Sequence, residues 1–108
     1  MIQITLKDRD IRNLENVLIC LTREKLVVSP SIMEEIKYQT VKNGSFLKFK
    51  QYCLTAISRA ILTKDLIECI KDNNRSTSLQ YYTIPIVDMN WEYAEEVKGY
   101  FDQVKMVS

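Results

Sequence analysis

Histidine is absent from this 108-residue chain, and glycine occurs only at Gly44 and Gly99. Without an imidazole, the chain lacks the usual general base, the usual partner of a serine or cysteine nucleophile, and the commonest nitrogen ligand of metal ions. Two isolated glycines cannot form the clustered glycine loops that bind phosphates or dinucleotides. We therefore expect no catalytic residue, no metal ion and no cofactor.

The remaining groups that could do chemistry are cysteines and carboxylates. Cys20, Cys53 and Cys69 have no Cys-x-x-Cys spacing and lie in apolar stretches. We interpret them as small buried thiols in a reducing compartment. Glu34-Glu35 and Glu95-Glu96 are adjacent pairs whose side chains diverge on a helix, so they do not converge on one substrate. The sequence predicts a protein that is not an enzyme.

Charge is nearly balanced overall, at +1, and such a chain has no global field to attract nucleic acid or an acidic membrane. The distribution is uneven, because all charged residues within 42–64 are basic, whereas acidic residues dominate 88–102. Within the basic stretch, Lys48 and Arg59 are the candidate nucleic-acid contacts. Two cations would neutralise few phosphates, so nucleic-acid binding is not the leading hypothesis. A nucleic-acid-associated regulator using residues 42–64 is the alternative hypothesis.

Aromatic residues near the C-terminus indicate binding more strongly. Trp91 falls among charged residues on a predicted helical wheel, opposite much of the apolar stripe. A tryptophan on a polar face is a typical interface anchor, although a first-turn tryptophan can also fold back onto the preceding strand. We predict a partner-binding surface formed by Trp91, Glu95 and Asp102, with Tyr38 as a weaker candidate of the same kind.

Two stretches have the pattern of strands. Residues 2–7 alternate apolar and polar side chains with a period of two. Residues 79–87 are aromatic and β-branched, but Pro85 cannot donate to a strand ladder, which predicts an edge or bulged strand. An unpaired edge can add a strand from another chain. The candidate partners are therefore another protein or a second copy of this chain, paired as a homodimer through a strand edge.

The segments between these strands have helical patterns. Residues 8–25 carry an apolar stripe at helical spacing, and Pro30 and Gly44 suit the start and end of a second helix. Residues 46–62 are apolar around more than half of a helical wheel, which is typical of a buried helix. The sequence predicts a single, predominantly helical α+β domain over residues 1–108, with a central helix at about 46–62 and two short strands at about 2–7 and 79–87.

Composition also favours an origin and a location. Twelve isoleucines against three alanines indicate an A+T-rich genome, which together with small size favours a phage, a virus or an A+T-rich bacterium. No apolar run is long enough to span a membrane, and the first residues lack the organisation of a signal peptide. We expect a cytoplasmic protein that does not engage a membrane. The leading hypothesis is a small intracellular protein-binding module, encoded by a phage or virus, that modulates a host protein.

Overall fold

The computed structural model describes the backbone of residues 1–107 and the side chains of residues 1–102. Four strands in this part of the chain form one antiparallel sheet in the order β2-β3-β1-β4. The elements in chain order are β1 (Ile2–Asp8), α1 (Ile11–Arg23), β2 (Val28–Thr40), β3 (Phe46–Ser58), a 3-10 turn (Ala60–Leu62), α2 (Thr63–Asn73), β4 (Gln80–Pro85) and α3 (Trp91–Val107). The fold is α+β, but the prediction of a predominantly helical domain with two short strands is wrong.

The central helix predicted at about 46–62 is strand β3, which pairs with both β1 and β2. Leu54 and Ala56 are buried beneath the helices, while Gln51 and Cys53 are buried on the opposite face of the same strand. A strand that is covered on both faces has a nearly continuous apolar sequence, so its periodicity resembles that of a buried helix. The second helix predicted after Pro30 is likewise strand β2.

Helices α1 and α2 cover one face of the sheet, which we call the helix face. Asp10 caps α1 by accepting a hydrogen bond from the Arg12 amide at 2.9 Å, as expected for a short carboxylate at a helix start. The core between the helices and the sheet is aliphatic, and its fully buried members include Ile4, Leu6, Leu14, Val17, Leu21, Leu54, Leu66 and Ile70.

A disulfide joins α1 to α2 through Cys20 and Cys69, whose Cα atoms are 6.4 Å apart. Cys53 is a free, buried cysteine. The interpretation of all three cysteines as thiols is therefore wrong for two of them. The pairing arises because α1 and α2 lie side by side, and sequence spacing does not reveal that proximity.

Strands β2 and β3 continue beyond the rest of the sheet. β1 ends at Asp8, opposite Tyr52, so residues 46–51 of β3 pair only with β2. We call the two-stranded ribbon of residues 36–50 the arm. Gly44 lies in its turn with φ +85°, a left-handed conformation that suits glycine, so it closes a hairpin rather than a helix. The radius of gyration is 15.6 Å, against about 13 Å for a compact domain of this length, because the arm projects.

Helix α3 lies outside the main core. Val97 and Phe101 are buried against Val28, and Ile57 and Tyr100 pack around them. Among the described side chains, this second cluster is smaller than the main core. No helix in the described part of the chain is long and apolar enough to cross a membrane.

Candidate functional site

A network of hydrogen bonds surrounds Asp8 at the point where β1 ends. Its carboxylate accepts from the side chains of Asn13 at 2.7 Å and Ser76 at 3.0 Å, from the Asp10 amide at 3.1 Å, and from Ser78. Burial alone would favour the protonated acid, but these donors outweigh it and hold the pKa of Asp8 below its ordinary value. The network fixes the loop that precedes β4 against the start of α1.

A second polar group lies on the face of the sheet opposite the helix face. Glu35 accepts a hydrogen bond from Gln51 and forms an ion pair with Lys7, whose Nζ lies 3.3 Å from Oε1. The bond from Gln51 outweighs partial burial and, with Lys7, lowers the pKa of Glu35. Burial opposes the charge on Lys7, yet the contact with Glu35 raises the pKa of Lys7. Burial raises the pKa of the neighbouring Cys53 thiol, which keeps it a poor nucleophile at neutral pH.

A groove lies beside this group, at the step where β1 has ended and the arm continues. The Arg9 guanidinium stacks on the Phe49 ring, 3.8 Å from its centroid, and Lys37 Nζ lies 3.5 Å from the side-chain oxygen of Gln80. We call it the basal groove. Its volume is about 350 Å³. Its lining residues are Arg9, Lys37, Gln39, Phe49, Gln51, Thr77, Ser78, Leu79 and Gln80.

The structure places Trp91, Glu95 and Asp102 on helix α3, four and then seven residues apart, a spacing that puts them on one helix face. Trp91 is 71% exposed. Glu95 and Asp102 also line a groove to which Arg59 and Lys98 contribute. Their assignment to a partner-binding surface stays a prediction.

Tyr38 and Lys48 lie opposite each other on the arm. The Tyr38 ring meets the edge of Phe46 at 5.3 Å between centroids. Arg59 follows the other end of β3, and eleven residues of strand separate it from Lys48 by roughly 35 Å. The two predicted nucleic-acid contacts therefore do not share one surface.

The sequence interpretation missed the basal groove and the Glu35 group. Glu35, Lys37 and Gln39 share one face of β2, and their alternation would have shown this had the segment been interpreted as a strand. No sequence signal connects Arg9 with Phe49, because their contact depends on where β1 leaves the sheet.

No protein-family model and no curated protein matches the chain, but solved structures do. CutA1 from Pyrococcus horikoshii superposes with a TM-score of 0.75 at 20% identity, covering 93% of this chain and 97% of that one. The periplasmic divalent cation tolerance protein CutA from Archaeoglobus fulgidus gives 0.73 at 15%, covering 93% and 98%. CutA1 from Oryza sativa gives 0.69 at 20%, covering 92% and 91%. At these identities the likeness establishes a shared fold.

These structural neighbours correct both functional hypotheses. Archaeal, bacterial and plant proteins named CutA1, or named for divalent cation tolerance, have this fold. The hypothesis of a phage or viral modulator of a host protein is therefore wrong, and so is the alternative of a nucleic-acid-associated regulator using residues 42–64. Among the described residues, no group of three or more cysteines and carboxylates is placed to hold a metal ion.

Proposed function

We propose that this chain works as a homo-oligomer, assembled by docking the arm of one copy against strand β4 of the next. The observation that carries the proposal is the exposed apolar surface of the arm. Ile36, Tyr38, Phe46 and Leu47 are between 48% and 61% exposed. A two-stranded ribbon is only marginally stable in water. Ile36, Tyr38 and Phe46 share one face of the arm and Leu47 lies on the other, and exposed apolar area of this kind is typical of an interface.

Strand β4 supplies the complementary surface. It is the last strand of the sheet beyond β1, so its outer backbone groups have no strand partner within the described chain. Tyr81, Tyr82 and Ile84 are exposed along it. An exposed edge with apolar side chains can add a strand from another chain, and Pro85 interrupts the ladder only at the strand's last residue.

The position of these surfaces limits the closed assemblies that they can form. The arm extends from the β2–β3 side of the sheet, whereas β4 is the opposite edge. Docking of unlike surfaces closes as a dimer if two copies exchange arms reciprocally, or as a ring if each copy docks onto the next. The predicted homodimer is thus one of two closed forms that this contact supports.

Sedimentation equilibrium tests the assembly. We expect the wild-type protein to sediment at a multiple of the 12.7 kDa chain mass. The double variant Phe46→Ser/Leu47→Ser should shift toward the monomer, because it removes apolar area from the arm. Ile19→Ser is the matched control, since Ile19 is equally exposed but lies on α1. A wild-type monomer at every concentration, or equal dissociation of the control, would reject the proposal.

We further propose that the oligomer contributes to tolerance of divalent cations. The support is the shared fold with proteins that carry that description. The test compares growth of cells with and without the chain as Cu²⁺ or Zn²⁺ is raised. Tolerance should increase with the wild-type chain and less with Phe46→Ser/Leu47→Ser. Equal growth with and without the chain would contradict this role.

The proposed role requires no catalysis. Asp8 is bound by four donors, and burial keeps the Cys53 thiol protonated, so the two most buried ionisable groups are poorly suited to acid–base or nucleophilic chemistry.

The expected cytoplasmic location stays a prediction. The Cys20–Cys69 disulfide argues against a strongly reducing compartment.

A further inference from the structure

We infer that the basal groove binds a small molecule through a phosphoryl group. Lys37, Gln39 and Phe49 belong to the arm and Gln80 is the first residue of β4, so this inference rests on the proposed assembly leaving the groove open. It starts from two cations, Arg9 and Lys37, which both line the groove. In the described part of the chain neither forms an ion pair, and the ion pairs there involve Lys7, Arg23 and Lys50.

The carboxylates beside the groove do not neutralise these cations. Asp8 is bound by four donors, and Glu35 is bound by Lys7 and Gln51. Lys7 therefore balances the charge of Glu35. The donors to Asp8 are neutral, so Asp8 keeps its charge, but it shares with Leu6 the face of β1 that meets the helices. The two cations in the groove exceed this one unbalanced carboxylate, which leaves a positive field in the groove.

Arg9 is also held in position. Its guanidinium lies over the Phe49 ring at 3.8 Å, and such stacking leaves the edge of the guanidinium plane available for hydrogen bonds. A fixed guanidinium loses less conformational entropy when it binds an oxyanion, and its donors match two oxygens of a phosphoryl group.

The chemistry around the cations favours a phosphoryl group over a carboxylate. A phosphoryl group carries nearly two negative charges and three acceptor oxygens at neutral pH. Two cations can balance its charge, and a third donor can bind the remaining oxygen. Thr77 is exposed at the groove and Gln39 lines it, and both side chains can donate. The groove, at about 350 Å³, has room for more of a molecule than the phosphoryl group alone.

Titration calorimetry with inorganic phosphate, pyrophosphate and acetate tests the inference. We expect saturable binding of pyrophosphate, weaker binding of phosphate and much weaker binding of acetate. Arg9→Gln and Lys37→Gln should each raise the dissociation constant about tenfold, the usual loss for one charged hydrogen bond. Circular dichroism of each variant confirms that the fold is retained.

Lys48→Gln and Arg12→Gln are the matched controls. Lys48 lies on the same arm but on the opposite face from Lys37, and Arg12 is an exposed cation three residues from Arg9. Neither should change the dissociation constant. The inference is overturned if the wild type shows no saturable binding up to roughly 10 mM, if acetate binds as tightly as phosphate, or if the controls lose as much affinity as the groove variants.

Discussion

Asp8 is 1% exposed, yet its carboxylate stays ionised because the surrounding donors replace water. Asp8 and Asp10 both lie just before α1, where a short carboxylate can cap a helix. The structure gives the capping role to Asp10, while Asp8 binds Asn13 and two serines from the loop before β4. Those serines are about seventy positions away in the chain, so only the fold distinguishes the two aspartates.

We predict that Asp8→Asn lowers the free energy of unfolding at pH 7 by about 1–3 kcal/mol, since an amide cannot accept all four hydrogen bonds. The folded state lowers the pKa of Asp8. Its contribution to stability is therefore present above the unfolded value of about 3.9 and is lost as pH falls through the lower folded value. Urea unfolding at pH 7 and at acidic pH measures both effects.

Asp10→Asn is the control for this prediction, because asparagine caps a helix about as well as aspartate. It should change stability little. The role given to Asp8 is wrong if Asp8→Asn and Asp10→Asn have the same effect, or if the acid sensitivity of Asp8→Asn equals that of the wild type.

At the scale of elements, the sequence predicted β1 and α1 close to their observed bounds and predicted β4 as an edge or bulged strand, of which the structure shows an edge strand. These elements have a clear period or a proline that limits the pairing. Strands β2 and β3 were assigned as helices because their apolar residues also fit a 3.6-residue period. Pairing of the two segments across the hairpin determines that they form strands, and a local sequence pattern does not show that pairing.

We predict that the disulfide between α1 and α2 stabilises the fold by about 2–4 kcal/mol. Cys20 and Cys69 are 49 residues apart, and a cross-link over a loop of that length restricts the unfolded chain by an amount of this order. The double variant Cys20→Ser/Cys69→Ser should unfold at lower urea concentration than the wild type. Cys53→Ser, which changes a free cysteine, should lose less.

Thiol titration of the denatured protein checks the pairing directly. One thiol, that of Cys53, should react before reduction, and all three should react afterwards. Three reactive thiols in the oxidised, denatured protein would show that the cross-link does not form. Equal stability of the double variant and the wild type would show that it forms without stabilising the fold.

At the scale of the whole molecule, the basal groove combines residues from β2, β3, β4 and the turn after β1. No two of these segments were expected to be neighbours, so the sequence could not place Arg9 beside Lys37. The exposure of the arm was likewise not predictable from the sequence. Its apolar residues indicated a core when they were assigned to a helix, whereas in the structure they are exposed on a projecting ribbon. In the proposed assembly, a second chain must bury that ribbon.

This requirement leads to a prediction about thermal stability. If arms dock onto neighbouring chains, dilution favours unfolding by mass action, and the wild-type unfolding midpoint should fall by several degrees over a hundredfold dilution. Phe46→Ser/Leu47→Ser should unfold at a lower midpoint that is independent of concentration, while Ile19→Ser should retain the wild-type dependence. Differential scanning calorimetry over that range measures all three proteins. A wild-type midpoint that does not move on dilution would mean that the exposed arm does not contribute to the stability of an assembly.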